Sequence, residues 1–367
     1  MASHLGLIEE LEHAISNGDI ARRAKALRLV SDLFELGSGR FSDEHIVLFD
    51  QIMQCLISKI ETSAKASFGS FMASFPDAPG GVIRMLAFDK DIDVAGPVLS
   101  LSGRIEQTDL IAGARTMSQP HLLAISERAE LADTVTDILL DRGDRAVVRS
   151  VAQNTGASFS REGYAALVDR SRDDADLALS VWARPELPRM NLVRLFVEAS
   201  EAVQQRFEAS DPRKSSVVRE LVARASLELL KQTRTGSPVH VSAFAYVEAL
   251  YLAGELNEQR LVEFAESGDF SRTAIALSMM CDLPLELVEK VLVNDHHEQL
   301  LVLAKATNLT WETTKALLIL SAIPKQLDPG TIEQAFVTYT RLKPKTATTA
   351  IDFYRLRERA KSVRGAA

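Results

Sequence analysis

Apolar positions recur at helical spacing along most of this chain. No stretch alternates in the two-residue manner of a half-buried strand bounded by hairpin turns. Leu5, Leu7, Ile8, Leu11 and Ile15 predict a first amphipathic helix. Asn17-Gly18 ends it, and Asp19 can cap a second helix carrying Ala24, Leu27, Val30 and Leu33. Gly37-Ser38-Gly39 is the next break. Ser42 with Asp43 and Glu44 then predicts an N-capped helix toward Thr62, with Phe41 packing on Ile46. A helix through Phe68, Phe71 and Met72 stops near Pro76, and Asp77-Ala78-Pro79-Gly80-Gly81 reads as a turn or hinge.

Between residues 87 and 198 one plan repeats four times: a short apolar helix, a bend, a second amphipathic helix. Leu101, Ile125, Val151 and Val181 align at spacings of 24, 26 and 30 residues. Each is followed by Ser102, Ser126, Ala152 or Trp182, and then two positions on by Arg104, Arg128, Asn154 or Arg184. The predicted pairs are 94–102 with 108–114, 121–128 with 132–142, 145–154 with 160–170, and 176–183 with 190 to about 209. Pro97 fits only a first turn, and Gly143 reads as a left-handed cap. Asp211-Pro212 restarts a helix to about 231, and 232–240, with Thr-Gly-Ser-Pro, reads as a linker. The period then returns. Leu256, Leu283 and Leu309 lie 27 and 26 residues apart. Ile275/Leu301, Leu277/Leu303, Val291/Leu317 and Leu292/Leu318 share the offset of 26, with Thr314 an imperfect match to Val288. Asp328-Pro329 opens another helix, and the last runs over about 347–363.

A period in the twenties marks units that bury their apolar faces only by stacking. The expected fold is all-α: a right-handed α-solenoid of stacked helical hairpins, HEAT-like, which could fall into two halves. The expected division is a helical segment at 1–80, a repeat domain at 81–231 and a second repeat domain at 241–367 ending in a capping helix, with the linker at 232–240.

Asp93-Val94-Ala95-Gly96-Pro97-Val98-Leu99, His121-Leu122-Leu123-Ala124-Ile125 and Asn154-Thr155-Gly156-Ala157-Ser158-Phe159-Ser160 resemble a mainly alphaproteobacterial family, DUF2336. The ending Ile351-Asp352-Phe353-Tyr354-Arg355, followed by Arg357-Glu358-Arg359, is similar to that family's ending. The resemblance covers most of the chain and is strongest over 88–171. It implies helical repeats of the HEAT-like or leucine-rich-variant kind. It implies no established activity and no catalytic residue. Some leucine-rich-variant proteins carry an iron–sulfur cluster; this chain lacks the cysteines for one.

Composition narrows the function. Apolar residues are 46% and aromatic ones only 6% of 367 residues, the mix of packed helices rather than sheet. The net charge of −8 disfavours non-specific nucleic-acid binding. That charge is uneven: residues 341–367 hold eight basic and two acidic groups, a local +6 on a body of −14. Cys55 and Cys281 are far apart, fall in apolar helical patterns and read as small buried hydrophobes in a reducing compartment. No secretory signal opens the sequence and no apolar run would span a membrane, so a cytoplasmic location is expected.

Candidate chemistry is sparse. Asp89-Lys90-Asp91-Ile92-Asp93 begins like a calcium loop, but Val94 and Ser100 stand where Gly and Glu are needed. A turn with Asp93 capping the next helix fits better. His296 and His297 are adjacent and diverge by about 100° on a helix, so one metal cannot easily take both. The positions with most scope are Arg104, His121, Arg128, Asn154, Trp182 and Arg184. Arg104, Arg128, Asn154 and Arg184 could form a polar row for a partner's carboxylate or phosphate groups, or tie off carbonyls at the ends of the short helices. His121 could line a groove or pack between repeats. Trp182 and Trp311 could anchor a partner or fill core. No nucleophile elbow, phosphate loop, dinucleotide fingerprint or zincin helix is present, and neither cofactor nor metal is expected. The expectation is a non-catalytic scaffold or adaptor for an unknown protein partner. The alternative is a nucleic-acid-associated protein or enzyme using a basic groove or the basic C-terminal helix.

Overall fold

A computed structural model describes residues 20–210, 215–235, 237–294, 297–322 and 327–364. The helix expected over the first fifteen residues, the Asp211-Pro212 start and His296 lie outside them. The described residues are helical apart from turns and one isolated bridge, Leu131 with Ala157. The chain divides into two compact units, Met1–Gly163 and Tyr164–Ala367.

The first unit holds α1 (Ile20–Gly37), α2 (Asp43–Ile57), α3 (Thr62–Ala73), α4 (Gly80–Ala87), α5 (Ile92–Leu101), α6 (Gln107–Thr116), α7 (Gln119–Ser126), α8 (Asp133–Arg142) and α9 (Arg145–Gln153). Helices α3, α5, α7 and α9 pack in succession, as do α6 and α8. Most are only two or three turns long, too short to persist alone. Their stability comes from Leu86, Val98, Leu122, Ile125, Leu139 and Val151, which are essentially inaccessible to solvent. Truncating such a leucine to alanine costs about 2–5 kcal/mol.

Local chemistry sets the boundaries, with some departures from expectation. Ser42 and His45 form a reciprocal capping box on α2. Phe41 stacks on Phe34 and meets Phe49 at a tilt. α5 is capped by Asp91, which accepts from the Asp93 N–H at 3.0 Å, while Asp89 accepts from the Asp91 N–H. The acidic run is thus a chain of turn caps. Because α5 starts at Ile92, Pro97 lies in its second turn, not its first. Gly143 is extended (φ −67°, ψ 142°), not left-handed. Space is what requires glycine there, since a Cβ would strike the Leu139 carbonyl and Val147. Cys55 is exposed: the buried stripe of α2 is Phe49, Met53, Leu56 and Ile57, and Cys55 falls off it.

α10 (Arg161–Ser171) spans the division. The second unit continues with α11 (Ala175–Trp182), α12 (Arg189–Ser210), α13 (Ser215–Thr235), α14 (Pro238–Leu252), α15 (Glu258–Glu266), α16 (Phe270–Cys281) and α17 (Leu285–Val293). It ends with α18 (Glu298–Ala306), α19 (Trp311–Ala322), α20 (Pro329–Arg341) and α21 (Pro344–Arg364). α12 and α13 form a long hairpin against α17, and α18 carries both α20 and α21. The offset of 26 is visible in the backbone. Asp282 and Asn308 are both left-handed (φ 48° and 59°), closing α16 and α18. In each case the following leucine N–H returns to the helix: Leu283 to the Ser278 carbonyl, Leu309 to that of Ala304. Thr314 is fully buried and meets its hydroxyl demand on the Thr310 carbonyl at 2.8 Å. Cys281 is buried, which pushes its thiol up to about 12. The stretch expected as a linker lies inside this unit, as the end of α13 and the start of α14.

Candidate functional site: an apolar groove beside a buried ionic cluster

The polar row is committed to the protein's own backbone. Arg128 donates from both terminal nitrogens to the carbonyls of Leu99 (2.6 Å) and Ser102 (2.9 Å). Asn154 donates to the carbonyls of Ser126 (2.9 Å) and Arg128 (2.6 Å), and Arg104 to that of Ala78 (3.2 Å). The acceptors of Arg128 and Asn154 lie one repeat earlier, and that of Arg104 lies in the turn before the first repeat. These residues satisfy the orphan carbonyls of the preceding unit and fasten consecutive units together. Arg142 does the same on the other helices, reaching the carbonyls of Ala114 and Met117. Arg184 is buried and bonds to Glu186 and Tyr164. His121 is buried, with Nδ1 on the Ser118 hydroxyl and Nε2 on the Asp89 carbonyl.

In the second unit the sequence hid a buried ionic cluster. Glu289 receives two parallel bonds from Arg189, each 2.8 Å, and both side chains are nearly inaccessible. Arg189 also donates to the Thr233 hydroxyl and the Leu230 carbonyl. Arg234 pairs with Glu286. Thr233 and Arg234, both within 232–240, are therefore tied into the unit. Burial, then Arg234 and Arg189, lower His240 from 6.5 to about 4. As pH falls, the unfolded chain takes up this proton first. Stability is full above about 6.5 and declines toward about 4. Solvent reaches the ring, so the decline should not exceed about 1 kcal/mol. It should be absent from a His240→Gln variant when urea unfolding is followed across that window.

Trp182 and Arg104 are the candidate site residues that stay exposed, and of the two Trp182 lines a groove. Asp174 caps α11 by accepting from the Leu177 N–H, and α11 ends at Trp182. The indole is 47% exposed, so it does not fill core. It lines a groove of about 400 Å³ formed with α12 and α13. Leu179 (59% exposed), Val203 (40%) and Leu229 (41%) line it too, with Leu195 and Phe196 as partly buried or buried floor. Arg172, Asp173, Glu198 and Arg206 rim it. Arg172 is held across the rim by Glu198 at 2.8 Å. Trp311, in contrast, packs edge-on against Phe336. Among the described residues, no group of three or more His, Cys, Asp or Glu could hold a metal ion, and no helix is long and apolar enough to cross a membrane.

Fold and groove together define an all-α protein of serially packed helices with an open cleft lined by Trp182 and Phe196. The chain belongs to DUF2336, a family described as an uncharacterised protein conserved in bacteria, whose model matches residues 94–352. No curated protein and no solved structure matches the chain.

Proposed function

We propose that this chain is a non-catalytic helical-repeat scaffold that works in the cytoplasm and binds the apolar face of a partner protein's helix in the α11–α13 groove. The observation that carries this reading is the open apolar lining of Leu179, Trp182, Val203 and Leu229 on well-packed helices. Contiguous apolar surface rimmed by charge marks an interaction site, and an amphipathic helix suits a cleft between helices. A right-handed HEAT-like solenoid is the architecture we infer from the serial packing of α3, α5, α7 and α9 and from the carbonyl bonds spanning one repeat. The polar row then serves cohesion rather than a partner. The acidic body argues against a nucleic-acid ligand.

Substituting Leu179→Asp with Trp182→Asp is expected to leave thermal stability nearly unchanged, because both side chains are exposed. Affinity for a partner purified with the wild-type chain should fall at least about tenfold, as for interface anchors. Unchanged affinity in a titration of the two purified proteins would reject the groove.

A further inference from the structure

The last helix, α21, carries more than its packing on α18 needs. Its inward face is Ala347 and Ile351, both buried. Phe353 and Leu356, two and five residues beyond Ile351, are rotated away from it by about 200° and 140°. They are 72% and 65% exposed, among the most open large apolar side chains of the described residues. The surrounding sequence, 341–367, carries a net +6 on a chain whose remainder is −14. Arg341, Lys343 and Lys345 at the entry to the helix are exposed. The acidic groups on the same helix are Asp352, which pairs with Arg355, and Glu358.

Arg355 is turned to the Cys281 carbonyl and Asp352, so the charge offered to a surface is that of the exposed Arg341, Lys343 and Lys345 and of the basic sequence that follows Leu356. Two exposed apolar side chains within a cationic stretch offer the two contacts that a membrane interface rewards. Apolar side chains enter the boundary between headgroups and acyl chains while Lys and Arg meet anionic headgroups. A duplex would use the charge but would leave Leu356 without a partner. We propose that α21 is a peripheral docking element for anionic phospholipid surfaces. It holds the body through Ala347 and Ile351 and presents Phe353 and Leu356 to the bilayer. The geometry is independent of the α11–α13 groove.

The test uses the full chain in co-sedimentation with vesicles of phosphatidylcholine alone or mixed with phosphatidylglycerol. Binding to the mixed vesicles is expected to be at least about tenfold tighter and to weaken with added salt. Phe353→Ser with Leu356→Ser should remove most of it while circular dichroism stays unchanged. Lys343→Glu with Lys345→Glu should weaken it at low salt only. Equal partition into both vesicle types, or none into either, overturns the proposal. So does binding that the Phe353→Ser, Leu356→Ser variant retains in full. So does a nucleic-acid duplex that binds the chain more tightly than the mixed vesicles.

Discussion

Replacing Glu289 with alanine is expected to destabilise the second unit by about 3–5 kcal/mol, because it strands the buried Arg189 guanidinium. Glu289 is 1% exposed and takes two N–H donors from Arg189 across 100 residues of sequence. Few compensating groups are at hand. Arg189 would keep its bonds to the Thr233 hydroxyl and the Leu230 carbonyl, neither of which carries charge. Removing both partners together, as Arg189→Met with Glu289→Leu, should cost much less than Glu289→Ala alone, since no charge is then left buried. Urea unfolding of the single and double variants measures the difference. Equal losses would mean that packing volume, not charge pairing, is what Glu289 supplies.

The second large effect is expected in the first unit. Arg128→Ala should cost about 2–3 kcal/mol, because two carbonyls of the preceding repeat lose charge-assisted donors. Burial lowers the Arg128 guanidinium below its ordinary value. Arg128→Lys should recover less than half of the loss, because an ammonium is a point donor and cannot fork between Leu99 and Ser102. Hydrogen exchange should localise the damage, with amides of α5 and α7 exchanging faster while those of α16–α19 do not change. Uniform acceleration across both units would contradict the repeat-to-repeat role.

What the sequence made legible was mostly local. Helical spacing of Leu, Val and Ala identified the all-α class, and the offset of 26 between Leu283 and Leu309 marked two units with the same left-handed closure. Capping chemistry was readable at Ser42 and Asp328, whose side chains accept helix N–H groups. What escaped depends on partners distant in sequence. The regular placing of Arg104, Arg128 and Asn154 was visible, but its acceptors are backbone atoms 26 to 29 residues earlier, and every residue has a carbonyl. Residues 232–240 have linker composition, yet Thr233 accepts from Arg189 and Arg234 pairs with Glu286, which no local pattern reveals. Cys55 shares an apolar helix with buried neighbours and still faces outward, because a single helical step moves a side chain off the buried stripe. Trp182 was visible as a candidate, but whether it filled core or lined a cleft depended on α12 and α13 meeting α11.

The most direct test of the groove is site-specific photo-cross-linking. A photoreactive phenylalanine analogue replaces Leu179 in the full chain, and in a control it replaces Leu101, which is somewhat more exposed and lies on α5 of the other unit. After irradiation in the native cell, adducts are mapped by mass spectrometry. The expected result is one dominant adduct at position 179, joined to a peptide with apolar residues at helical spacing, and no such adduct at position 101. The same set of adducts at both positions, or none at 179, would contradict the account.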